Sequence, residues 1–256
     1  MRAGKRLLLM KALVLFCSLL ALPCCAAADE IDHGLWNELV ERYAQDGRVD
    51  YDGVAQDAET LERYLALLAD TDPEQLPSPE SRLAFWINAY NASVFKGVLD
   101  HRPLKSVKDI KGFFDRLRYP VGGEELTLNQ IEERARASGD WRVHFAVNCA
   151  SASCPPLRPE AYAAGSLEAQ LADQTTQFLA NTRDGLRLDG PTLWVSSIFK
   201  WYAKDFSPSR LTSNALLDLL DPYLPESVRQ AARARTFTMR YLPYDWSLNS
   251  ATGGLR

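Results

Sequence analysis

Leu83-Ala84-Phe85-Trp86-Ile87-Asn88-Ala89-Tyr90-Asn91-Ala92 is the stretch on which the fold turns. Ser78 can cap a helix and Pro79 suits its first turn, so the pattern predicts a helix over 80–99. That helix is apolar on nearly every face, which marks a buried central element and not a surface one. Asn88 and Asn91 lie three residues apart and share a side of it. Asparagine is a poor interior helix residue, and a buried carboxamide must find partners. The simpler reading ties both amides to neighbouring backbone. The sharper one turns an amide into a cleft, where it orients a substrate carbonyl or a catalytic imidazole.

Upstream, Ile31, Leu35, Leu39, Val40 and Tyr43 have helical spacing within 30–44, and Gly47 ends that helix. Residues 49–51 read as a short extended piece. Leu61, Tyr64, Leu65 and Leu68 mark a second amphipathic helix. Downstream, Ser106 to Ile110 reads as a helical turn, and Gly122-Gly123 signals a hairpin between 117–121 and 125–127. Thr127 and Gln130 fit a capping box. Val143 to Asn148 is an apolar run of strand type. Ser166 is expected to cap a helix carrying Leu167, Leu171 and Phe178. Asp189-Gly190 signals a second hairpin, and Ser197 to Phe206 an aromatic helical turn. Helices over 211–220 and 226–235 and a strand over 236–242 complete the pattern. Helices and strands mix without a βαβ rhythm, which predicts one α+β domain over 29–256. Its central helix is expected to pack on a mixed or antiparallel sheet, with further helices around it.

The N-terminus reads as an export signal. Arg2, Lys5, Arg6 and Lys11 precede the apolar run Ala12 to Leu22, and Ala26-Ala27-Ala28 offers a peptidase site, so cleavage after Ala28 is expected. This places the mature protein in the periplasm or outside the cell. Cys24 and Cys25 bring lipidation to mind, but Pro23 or Cys24 stands where a lipoprotein signal has a small residue. No later segment is long and apolar enough to span a bilayer. Losing four leader cations takes the net charge from −4 to −8, which argues against a nucleic-acid partner.

The chemistry gathers in Val143-His144-Phe145-Ala146-Val147-Asn148-Cys149-Ala150-Ser151-Ala152-Ser153-Cys154-Pro155-Pro156. Outside the cytoplasm Cys149 and Cys154 can form a disulfide across a small, flexible loop. Alternatively one of them is a reactive thiol, whose pKa an imidazolium, a cation or a helix N-terminus would lower. On a strand, 144, 146 and 148 share a face, so His144 reaches Cys149 only through the bend. His144 is either a buried structural residue or a base oriented by Asn88, Asn91 or Asp245. His33, His101 and His144 are scattered and give no metal-ligand spacing, and no cofactor motif is present. Trp201, Tyr202, Tyr244 and Trp246 read as core and cleft wall.

Phe85 to Ala92, His144 to Cys149, Ser153-Cys154-Pro155-Pro156 and Tyr244-Asp245-Trp246-Ser247-Leu248-Asn249 together resemble the family termed domain of unknown function 547. The resemblance extends over about 49–249. It implies which residues are typical and leaves the reaction open. A central helix followed by a histidine-bearing segment also looks loosely like the papain and transglutaminase group. In that group the nucleophile starts the helix, whereas here 80–99 holds no cysteine.

Three functions follow. The first is an exported thiol hydrolase or acyl transferase acting on a small molecule or peptide. Cys149 or Cys154 is then the nucleophile, His144 the base, and Asn88, Asn91, Asn148 or Asp245 the orienting group. The second is a non-catalytic binding or scaffold domain with a Cys149–Cys154 disulfide. The third is a dithiol redox protein, for which CxxC spacing is lacking.

Overall fold

The computed structural model describes residues 30–233 and 237–251. The leader, with Cys24, Cys25 and the expected cleavage point, lies outside the described residues, as does 234–236. The N-terminal part holds α1 (Gly34–Tyr43), β1 (Ala44–Gln45), β2 (Arg48–Val49), α2 (Tyr51–Gln56) and α3 (Ala58–Asp70). Then come α4 (Pro79–Asp100), β3 (Tyr119–Val121), β4 (Glu124–Leu126), α5 (Leu128–Arg136), α6 (Val143–Ala146) and α7 (Leu167–Ala180). The chain continues through β5 (Leu186–Asp189), β6 (Thr192–Val195), α8 (Ile198–Trp201), α9 (Ala203–Phe206), α10 (Ser213–Leu220), α11 (Glu226–Ala232) and β7 (Thr238–Tyr241). This is an α+β fold. Among the described residues no helix is long and apolar enough to cross a membrane.

Local chemistry sets the ends of these elements. The Ser78 hydroxyl accepts from the Ser81 N–H with Pro79 at the first helical position, which starts α4. At α5 the capping box is complete. Thr127 Oγ1 accepts from Gln130 N at 3.3 Å, and Gln130 Oε1 from Thr127 N at 2.9 Å. Gly122 and Gly123 take φ of 65° and 76°, the left-handed pair that a tight hairpin between β3 and β4 requires. The second hairpin forms between β5 and β6, and β7 adds to β6 in parallel.

Some expectations are corrected. Tyr51 opens α2, capped by Asp50, and does not extend β2. Ser166 stands at the head of α7 without a side-chain capping bond, because its hydroxyl donates back to Ala163 O. The central helix is buried as expected, but its principal neighbours are α5 and α3; the sheets have two, two and three strands and lie around it. The largest correction is Val143–Ala146, which is a single helical turn and not a strand. A buried apolar run of four or five residues has no period that separates the two. Backbone bonds from Val143 and His144 to Asp140 and Trp141 set the turn.

That turn lies between two hydrophobic clusters. Val143, Ala146 and Val147 face the cluster built on α1, α3 and α4. Phe145 faces the other, with Phe178 of α7, Phe199 of α8 and Phe206 of α9. His144 is therefore held at the seam, 2 % exposed.

Candidate functional site

Two asparagines of α4 position the thiol loop and its neighbour. Asn91 Nδ2 donates to Ala146 O at 3.0 Å, and its Oδ1 accepts from Asn148 N at 2.8 Å, a clamp across Val147. Asn88 makes the same two-point clamp on Tyr162, at 2.7 and 3.0 Å. Both carboxamides spend donor and acceptor on backbone, and neither touches His144. Asn148 in turn holds the loop, donating to Pro155 O at 2.8 Å and accepting from Ala150 N at 2.9 Å. It also accepts from Asn249 Nδ2 at 3.2 Å.

The residue after Cys149 pays the conformational cost. Ala150 has φ of 61°, a left-handed conformation that is uncommon outside glycine. Bonds to Asn148 Oδ1 and from Asn249 N to Ala150 O hold it there. The segment Tyr244–Asn249 is laid along this loop. Ala152 N donates to Ser247 O at 2.8 Å and Ser153 N to Asp245 O at 3.2 Å. Asp245 itself is exposed and accepts from Ser247 N at 2.9 Å, so it supports its own turn and does not orient the imidazole.

The loop presents two half-buried thiols with Sγ atoms 3.0 Å apart. Cys149 Sγ also lies 3.0 Å from Ser151 Oγ and 3.3 Å from the Tyr244 hydroxyl. These contacts, the Cys154 thiol foremost, outweigh burial and lower the Cys149 pKa to about 7. Burial pushes Cys154 the other way, well above the ordinary thiol range. Burial also raises the Tyr244 phenol, which therefore remains a donor. The imidazole is not among the groups that lower Cys149.

His144 is oriented by a residue that sequence reasoning did not single out. Its Nε2 lies 2.8 Å from Asp205 Oδ2, and Arg136 Nε donates to the same oxygen at 2.7 Å. Its ring lies on Tyr202 with centroids 4.1 Å apart. Arg136 keeps Asp205 ionised, below the ordinary carboxylate range. Burial is the stronger influence on His144 and lowers its pKa to about 4 despite Asp205, so at neutral pH it is a neutral imidazole. The Asp205-facing Nε2 then carries the hydrogen, and Nδ1 is the nitrogen able to take a proton.

That burial has a measurable consequence. Between its unfolded value near 6.5 and about 4, His144 binds a proton unfolded and not folded. The stability it contributes is thus present above pH ~6.5 and is lost as pH falls toward 4. The loss due to His144 is expected to be about 2 kcal/mol by pH ~5. Urea melts of wild type and His144→Gln across this range test it, and parallel profiles would refute it.

The thiols and the imidazole line one cavity of about 390 Å³ at the seam of the two clusters. Its walls include Tyr90, Phe114, Tyr202, Trp201, Tyr244 and Trp246, so the four aromatics read as cleft wall do line a cleft. Glu132 and Asn129 of α5 also reach it, and neither was expected. His33 and His101 lie elsewhere, bonded to the Tyr64 hydroxyl and Gly97 O. Among the described residues no cluster of three His, Cys, Asp or Glu side chains could hold a metal ion.

Residues 73–179 match a family model described as protein of unknown function, DUF547. Over this segment the chain is similar to the DUF547 family. The match takes in α4, α5, α6 and most of α7, and with them Asn88, Asn91, Glu132, His144 and both thiols of the loop. Tyr202, Asp205 and the Tyr244–Asn249 segment complete the site from outside the matched DUF547 residues. No curated protein and no solved structure matches the chain.

Proposed function

We propose that the protein is a cysteine-dependent enzyme of acyl transfer, most simply a hydrolase, with Cys149 as nucleophile. The observation that carries this is a half-buried thiol with a pKa lowered to about 7, in the wall of a cavity shared with a neutral, carboxylate-oriented imidazole. Hydroxyls of Ser151 and Tyr244 hold the sulfur. As the Cys149 sulfur bonds to a substrate carbonyl carbon, Nδ1 of His144 takes the thiol proton. It passes that proton to the leaving group as the carbon–leaving-group bond breaks, and a thioester remains. Water then attacks the thioester, His144 takes its proton, and the acid leaves as the thiol is restored. Asp205 stabilises the transient imidazolium.

Turnover of p-nitrophenyl acetate by reduced protein tests this reading. His144→Ala is expected to lower turnover about a hundredfold or more, the scale of a lost general base. It should leave iodoacetamide labelling of Cys149 little changed, since the imidazole does not set that thiol's pKa. Equal turnover in both proteins would refute the role of His144.

One observation favours a second reading. With the two sulfurs 3.0 Å apart, a modest approach closes a Cys149–Cys154 disulfide, and the domain then serves as a scaffold or a dithiol redox centre. Protein isolated without reductant and labelled with iodoacetamide separates the readings. Free Cys149 supports the enzyme, and two unlabelled cysteines released by reductant support the disulfide.

A further inference from the structure

The cavity carries a group that the thiol chemistry does not use. Glu132 lies on the inner face of α5, 7 % exposed. The Tyr202 hydroxyl engages its carboxyl, and Oε1 is buried without a hydrogen-bond partner among the described residues. An unpaired buried carboxylate oxygen is costly, and helix α5 does not need one there. The positive group that acts on it, Arg136, is already engaged by Asp205 at 2.7 Å. Glu132 lines the cavity together with Asp115, and no lysine or arginine is in the described lining.

We propose that Glu132 anchors a primary ammonium group of the substrate, so that the acyl-transfer substrate is an amine-bearing compound. The proposal rests on the thiol-enzyme reading for the reaction, and on the cavity alone for the ligand. Aromatic walls suit a cation. Trp201 is 47 % exposed beside Tyr244 and Trp246, at centroid separations of 4.8 and 5.7 Å. On Trp246 the ammonium of Lys108 already rests 4.0 Å from the ring centroid. The buried carboxyl selects among cations. A primary ammonium brings N–H donors for the Glu132 carboxyl, whereas a quaternary ammonium brings none. Burial raises the Glu132 pKa, and a bound ammonium would draw it back toward the carboxylate.

Cadaverine is the probe. It is titrated into Cys149→Ser protein and followed by tryptophan fluorescence, so that binding needs no nucleophile. The expected result is saturable binding that Glu132→Gln weakens about tenfold or more. Choline and pentanoate should compete poorly. Glu132→Gln removes a desolvated charge and keeps the shape of the side chain, so its urea midpoint should equal or exceed that of wild type. The competition series decides the matter independently of that variant. Unsaturable binding, equal affinity in Glu132→Gln, or choline competing as well as cadaverine would overturn the proposal. Failure of iodoacetamide labelling would overturn the thiol reading and leave the ammonium site standing.

Discussion

Cys149→Ala is expected to abolish both iodoacetamide labelling of the reduced protein near neutral pH and turnover of p-nitrophenyl acetate. Cys154→Ala is expected to leave a nucleophile, but a slower one. The asymmetry follows from the loop. Cys154 is the strongest influence lowering Cys149, while its own thiol is driven up by burial. Removing the Cys154 thiol leaves Ser151 and Tyr244 on the Cys149 sulfur and lets burial act less opposed. The Cys149 pKa should rise by roughly one unit, and labelling at pH ~6 should slow about tenfold, because only the thiolate attacks. A stopped-flow or mass-spectrometric pH profile reads this directly. Equal labelling of the two single variants would show that neither thiol is distinguished, and would remove Cys149 from the proposed role.

Asn91→Leu is expected to destabilise the fold by about 4 kcal/mol, the cost of leaving Ala146 O and Asn148 N buried and unpaired. Leucine is similar in size, so the loss comes from hydrogen bonding and not from a cavity. Asn88→Leu unpairs both backbone groups of Tyr162 and should cost a similar amount. The two variants separate in a second measurement. Asn91 holds the residues that lead into Cys149, so Asn91→Leu should also alter the labelling rate of Cys149, whereas Asn88→Leu should not. Urea melts and labelling of the folded fraction provide both readouts. An unchanged midpoint for Asn91→Leu would show that the clamp is dispensable.

Much of the scaffold was legible because its signals are local. Ser78-Pro79, the capping box of Thr127 and Gln130, and the Gly122-Gly123 and Asp189-Gly190 turns each act within a few residues. The loop that brings two thiols together was legible from residue type. The conformation of Val143–Ala146 was not, because a short buried run carries no period. The partner of His144 was not legible either. Asp205 is one acid among many in the sequence, and only tertiary packing of α9 against α6 brings it to Nε2. Glu132 did leave a trace. It falls beside Leu128, Ile131 and Ala135, the apolar stripe of α5, where a charged residue needs a reason. The pairing of β7 with β6 joins residues 46 positions apart, a distance beyond any turn signal.

The Tyr244–Asn249 segment sets the order in which the site can be completed. Its backbone bonds reach Ala150, Ala152, Ser153 and Lys105, and Val49 N bonds back to Asn249 O. Asn249 also receives the Tyr51 hydroxyl, at 2.8 Å. These are among the most distant contacts along the chain, and a ribosome releases their last partners late. Most of the helices can pack while the cysteine loop still lacks the strap that holds Ala150 left-handed. The Cys149 thiol therefore gains its final geometry only after the tail is free, and a nascent chain carries it in an unfinished, poorly tuned form.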